Sequence, residues 1–167
     1  MSVIKKEKIK VRAPFYNHNK KFANSLISIW TWPFNMSTPH VSHTELGFLI
    51  GGKWRYFSST NRDGGSGTRW ISEKELFKHP ERWIVLEFEV DTIQDKIDRA
   101  EGIEGLPYDF LAILGFFTPF GVPNFKGKWC CSEAAYYVLT GEWKKRISPR
   151  RFWTYIKKTY TARRVRI

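Results

Sequence analysis

Apolar and polar positions change period several times along this chain, and each change predicts an element. HTELGFLI (His43 to Ile50) is a largely apolar run that reads as a strand, and KWRYFSS reads as a second. Gly51-Gly52 separates them, and a two-glycine connection between apolar runs predicts a hairpin. RWIVLEFEV alternates, with Ile84, Leu86, Phe88 and Val90 on one face and Glu87 and Glu89 on the other. That is the pattern of a half-buried strand. IKVRAPF, near the start, is expected to be an edge strand.

Elsewhere the period lengthens to that of a helix. Ser72 and Glu75 form a capping box at the head of SEKELFKH, where each side chain can satisfy a backbone N–H of the other residue. In TIQDKIDRAEG, Ile93, Ile97 and Ala100 recur at helical spacing; Asp91 is the expected cap and Gly102 the expected stop. SEAAYYVLTG predicts a compact helix ended by Gly141. Ser148-Pro149 predicts a cap followed by proline in the first turn, opening RRFWTYIKK. FANSLISIWTW and Tyr108 to Phe117 read as short helices, NRDGGSGTR (Asn61 to Arg69) as a flexible loop, and GFFTPFGVPNFKG as an ordered loop with an apolar lining. The fold class expected is α+β, a small antiparallel sheet with packed helices. With no repeat and no linker, residues 1–167 are expected to form one domain, with basic extensions at 1–20 and 157–167.

Composition adds limits. A hydrophobic share of 42% and a length of 167 residues suit a single core. No apolar run reaches the roughly 18 residues of a membrane span. MSVIKKEKIKVR lacks the apolar core of a secretory signal, so synthesis in a cytoplasm is expected. Net charge is +12, concentrated in Lys5, Lys6, Lys8, Lys10 and Arg12 at the start and Lys157, Lys158, Arg163, Arg164 and Arg166 at the end. Such a balance fits an anionic partner: nucleic acid, an envelope polymer, a membrane surface or an acidic protein. No helix-turn-helix, zinc-finger or aromatic RNA-binding signature accompanies it.

The only cysteines, Cys130 and Cys131, are adjacent in GKWCCSEAAYYVLTG. A disulfide between neighbours would close a strained ring, in a context expected to be cytoplasmic. The doublet also lacks the Cys-x-x-Cys spacing of a zinc site, and His40 and His43 lie far upstream, so no metal or other cofactor is expected. Two readings stay open, a pair of buried thiols and a nucleophile at a helix start. Cys130, after Trp129, fits the first. Cys131 faces the positive end of a helix dipole, which favours thiolate. The same N–H groups can hold an oxyanion. It then needs an imidazole within reach. Of the four histidines, His18, His40 and His79 sit in polar or loop contexts, while His43 opens an apolar strand.

SHTELGFLI, the following hairpin with FSS, then GLPYD and finally WCCSE at a helix start together resemble the circularly permuted NlpC-like papain-fold family, over roughly His40 to Gly141. In that branch the histidine strand precedes the cysteine helix, as here; FSSTNRDGGSGTR is similar to the variant of bacteriophage and related viral members. The resemblance implies Cys131 as nucleophile and His43 as general base, with the N–H of Cys131 in the oxyanion hole. For the third member the strand KWRYFSS offers only Ser58 or Ser59. Glu45, two residues from His43 and on the same strand face, is preferred. Tyr108 and Ser59 are expected to contact substrate. The activity implied is that of a cysteine peptidase or amidase acting on an amide, ester or thioester in peptides, peptidoglycan or acyl lipids. The alternative is a virion structural or interaction protein, partnered by other virion proteins, that retains the fold without turnover.

Overall fold

The computed structural model describes residues 8–17, 39, 41–61, 66–110, 127–145 and 147–167. FANSLISIWTW, His18, His40, nearly all of GFFTPFGVPNFKG and the expected helix beyond Phe110 lie outside them. Among the described residues the chain is α+β, with seven strands in one antiparallel sheet and four α-helices. In chain order these are β1 (Ile9–Asn17), β2 (Val41–Thr44), β3 (Leu46–Ile50), β4 (Lys53–Thr60), β5 (Gly67–Ser72), α1 (Glu73–Leu76), β6 (Trp83–Val90), α2 (Gln94–Gly102), α3 (Cys131–Thr140), α4 (Pro149–Thr159) and β7 (Arg163–Val165). The sheet runs β5-β4-β3-β1-β6-β7, and β2 also pairs with β1. None of the described helices is long and apolar enough to cross a membrane.

Local chemistry accounts for the boundaries that match expectation. Gly51 and Gly52 turn β3 into β4 with φ of 57° and 75°, the doubly positive geometry that matches the twist of a hairpin. The capping box of α1 is complete, with Ser72 Oγ accepting from the Glu75 N–H. Gly141 caps α3 at φ 79°, and Ser148 Oγ accepts from the Arg151 N–H at the head of α4.

Five expectations need correction. IKVRAPF is no edge strand: β1 is central, between β6 on one side and β2 with β3 on the other. Proline is normally kept off such strands because it donates no ladder bond. The Pro14 carbonyl accepts from the Glu45 N–H at 3.0 Å. In extended backbone a residue's N–H and C=O point the same way, so the N–H that Pro14 lacks would face the gap between β2 and β3. That gap is the second correction, because HTELGFLI is two strands broken at Glu45. Third, the loop expected through Arg69 ends earlier: Gly67 begins β5 at φ 101°, and Thr68 ties to the Leu106 carbonyl at 2.9 Å, covering the outer edge of β5. Fourth, α2 is capped at Ile93 and not by Asp91. Fifth, Glu87 is not solvated like Glu89: it is 6% exposed, taken by Arg12 at 3.2 Å and Arg163 at 2.8 Å. The last of these contacts comes from β7, which adds the basic C-terminal stretch to the sheet beside β6.

The two faces of the sheet are covered unequally. Phe15, Phe57, Leu86 and Phe88 join the main core with Ala134, Ala135, Val138 and Leu139 of α3 and Phe152 and Ile156 of α4. Adjacent strand residues point oppositely, so Tyr56 faces the other side, where its ring meets Phe77 at 5.3 Å. On that thinner side α1 packs against β4 and β5. Small Ala134 and Ala135 let α3 lie close on β2 and β4, which brings the start of α3 to the break at Glu45.

Candidate functional site

Cys130 and Cys131 occupy different positions despite being neighbours. Cys130 is the N-cap of α3, with extended backbone at φ −85° and ψ 164°. Its sulfur is 3.9 Å from Ser132 Oγ and the residue is 2% exposed. Burial and the nearby Glu133 carboxylate push its thiol well above the ordinary value. Cys131 begins the helix proper and is 7% exposed. Burial alone would push its thiol up as well. The charge of His43, a hydrogen bond with that ring and another from the Thr44 backbone N–H overcome burial, and the thiol lies below its usual 9.0. The helix start acts in the same direction.

His43 connects the site. Its Nε2 is 2.6 Å from Glu45 Oε1, which leaves Nδ1 as the ring nitrogen for the Cys131 sulfur. Burial would lower the imidazole, but the Cys131 and Glu45 charges and their hydrogen bonds raise it from 6.5 to about 10. A raised imidazole beside a lowered thiol is the signature of a thiolate–imidazolium pair. Ser58 Oγ donates to the same Glu45 oxygen at 2.8 Å, fixing the carboxylate that fixes the ring. Glu45 is 2% exposed, and its Oε2 has no hydrogen-bond partner among the described residues.

The five residues expected at the site thus divide. Cys131, His43 and Glu45 converge through the contacts above. Ser59 is 1% exposed and donates to the Trp129 carbonyl at 2.6 Å. It anchors the segment entering α3. Tyr108 makes a bridge with Trp129 on that same segment, its ring 5.2 Å from Phe110. Neither lines the cavity of about 510 Å³ that opens beside His43, Glu45 and Ser58. Sequence reasoning passed over that cavity's other wall, where Arg69 stands across from Ser58 in the β4–β5 register. Only the register reveals it, because Arg69 falls in the stretch read as loop.

Chemically, the arrangement offers a nucleophilic sulfur, a proton carrier, a carboxylate that orients it and a helix start whose N-cap carries no side-chain oxygen. Among the described residues no group of three or more His, Cys, Asp or Glu side chains is placed to hold a metal ion. Comparison of the chain with family models, with curated proteins and with solved structures gives no match.

Proposed function

We propose that this protein is a cysteine hydrolase of the circularly permuted, NlpC-like papain type. The observation that carries the reading is His43, hydrogen-bonded between the Cys131 sulfur and Glu45. The Cys131 thiolate attacks the carbonyl carbon of an amide, ester or thioester, and N–H groups at the start of α3 receive the oxyanion. His43 gives its proton to the leaving amine, alcohol or thiol, forming the acyl-enzyme. It then takes a proton from water, which attacks the thioester and frees Cys131. Glu45 keeps the ring oriented and favours its charged form. Peptide, peptidoglycan and acyl-lipid substrates all contain such a bond, and a phage origin would favour cell-wall peptides by analogy alone. The net charge of +12 favours an anionic partner surface, whether envelope polymer, membrane or nucleic acid.

One observation favours the second reading, a virion structural or interaction protein without turnover: Cys131 and His43 are only 7% and 8% exposed. Labelling with iodoacetamide at neutral pH separates the two. The hydrolase reading expects rapid modification of Cys131, none of Cys130, and loss of that difference in His43→Ala. Equal inertness of both thiols in the folded protein would count decisively against it. Activity-based probes for peptide, peptidoglycan and acyl-ester bonds then identify the scissile bond.

A further inference from the structure

The cavity next to His43 has a composition that the acyl-transfer chemistry does not require. Its floor and walls include Tyr16, Trp70, Ile71, Leu76 and Trp83, and three basic side chains reach it: Arg69, Lys78 and Arg82. Each of its two carboxylates has one oxygen engaged. Glu45 holds His43 and Ser58, and Glu75 accepts from the Ser72 N–H and hydroxyl at 2.8 and 2.7 Å. Arg82 is weakly tied, 3.7 Å from Glu81 and 3.5 Å from the Tyr16 hydroxyl. Arg69 and Lys78 form neither hydrogen bond nor ion pair among the described residues; Glu75 feels both only through their charge. Arg69 is half-buried, and its Nε is enclosed without a hydrogen-bond partner there. An enclosed guanidinium nitrogen without a partner is costly, and a bound anion offsets that cost.

The geometry points to an anion subsite in this cavity: Arg69, with Lys78 and Arg82, binds a carboxylate or phosphate carried by the substrate, while Trp70 and Trp83 cover its apolar part. As a substrate subsite it rests on the hydrolase reading; as a binding site it does not. Arg69 and Ser58 are cross-strand partners, and Ser58 holds the Glu45 that orients His43. The anion therefore lies across β4 from the carboxylate that positions His43. Guanidinium is suited to this because its planar fork meets two oxygens of a carboxylate or phosphate at once.

Titration of the full chain with inorganic phosphate, and separately with N-acetylglutamate, tests the subsite through the indole N–H signals of Trp70 and Trp83. Saturable one-to-one binding is expected, with the dissociation constant rising about ten-fold in Arg69→Gln and several-fold in Lys78→Gln, as befits loss of a charge-assisted contact. Lys145→Gln, which removes the same charge beyond the far end of α3, should change nothing. Preference for phosphate or for N-acetylglutamate identifies which anion the site takes. Absence of saturable binding, or equal weakening by Lys145→Gln, overturns the subsite. If Arg69→Gln does not fold, exposed Lys78→Gln carries the comparison. Anion binding with an inert Cys131 would leave the subsite standing and remove the hydrolase reading. A reactive Cys131 without anion binding would do the reverse.

Discussion

Cys131 and His43 move in opposite directions from their ordinary values, and the window between them sets how the site responds to pH. The thiol is lowered from 9.0 and the imidazole raised to about 10. As pH rises, Cys131 loses its proton first, at a midpoint below 9.0, while His43 keeps its own until about 10. Alkylation of Cys131 should therefore rise through a midpoint below the thiol range and then stay flat, since loss of the imidazolium leaves the thiolate in place. Turnover should instead fall again near pH 10, where His43 can no longer protonate the leaving group. A labelling midpoint at or above 9.0 in mass-spectrometric pH profiles would contradict the ion pair. Glu45 and Ser58 act through the ring. Glu45→Gln removes a charge that raises the imidazole, and Ser58→Ala removes only one hydrogen bond to Glu45. The upper limb of turnover should thus move below about pH 10 in Glu45→Gln and shift less in Ser58→Ala. An unchanged upper limb in both would assign Glu45 a purely structural place.

Elements are held in register by contacts of very unequal worth, and the pair around Glu87 is an example. Burial would raise this carboxyl, but hydrogen bonds from Arg163 and Arg12 hold it below its ordinary value. The Arg163 side chain is 68% exposed, whereas that of Arg12 is 17% exposed and also reaches Glu73 at 3.0 Å. Arg12 further lies 4.1 Å over the Trp54 ring. Arg163→Ala should therefore cost about 0–1 kcal/mol, as an exposed pair does. Arg12→Ala removes the more buried partner of Glu87 together with the Glu73 and Trp54 contacts, and should cost about 3 kcal/mol. Urea unfolding of the two variants measures the contrast, and equal losses would refute it. Because the Glu87 carboxyl is depressed, its contribution is present above its unfolded value and fades as pH falls through the folded one. The Arg12→Ala deficit should shrink in acid.

The same scale explains what the sequence disclosed. Signals contained within a few residues were legible: the Ser72 and Glu75 box, the Gly51-Gly52 turn, the Gly141 stop and the Ser148-Pro149 start. Each works through a bond or a φ value that its own neighbours fix. The central place of β1, the start of β5 at Gly67 and the burial of Glu87 depend on partners tens of residues away along the chain, such as Glu45 for Pro14, Leu106 for Thr68 and Arg163 for Glu87. No local window contains them. The candidate site divides likewise. Cys131, His43 and Glu45 could be singled out by residue type and position, but the hydrogen bond from Ser58 to Glu45 needed the register of β4 against the break between β2 and β3.

At the scale of the whole molecule, the two candidate roles of charge make different demands on salt. A cavity anion held by Arg69 is close-range and partly shielded from solvent. The surplus of +12 is concentrated toward both ends of the sequence and includes exposed Lys157 and Lys158 at the end of α4 and Arg163 and Arg164 in β7. At about 0.15 M salt the screening length is about 8 Å, so diffuse attraction fades while a hydrogen-bonded contact weakens less. If the surface engages a polyanion, binding to duplex DNA or to anionic vesicles should fall by orders of magnitude between about 50 and 200 mM salt, with little dependence on sequence. Phosphate binding in the cavity should fall far less over that range, and Arg69→Gln should leave the polyanion slope unchanged. Fluorescence-anisotropy and vesicle-sedimentation titrations across salt decide the matter. Absence of DNA and vesicle binding even at low salt would reduce the surplus charge to a solubilising surface, and the catalytic reading would then stand on the Cys131–His43 contact alone.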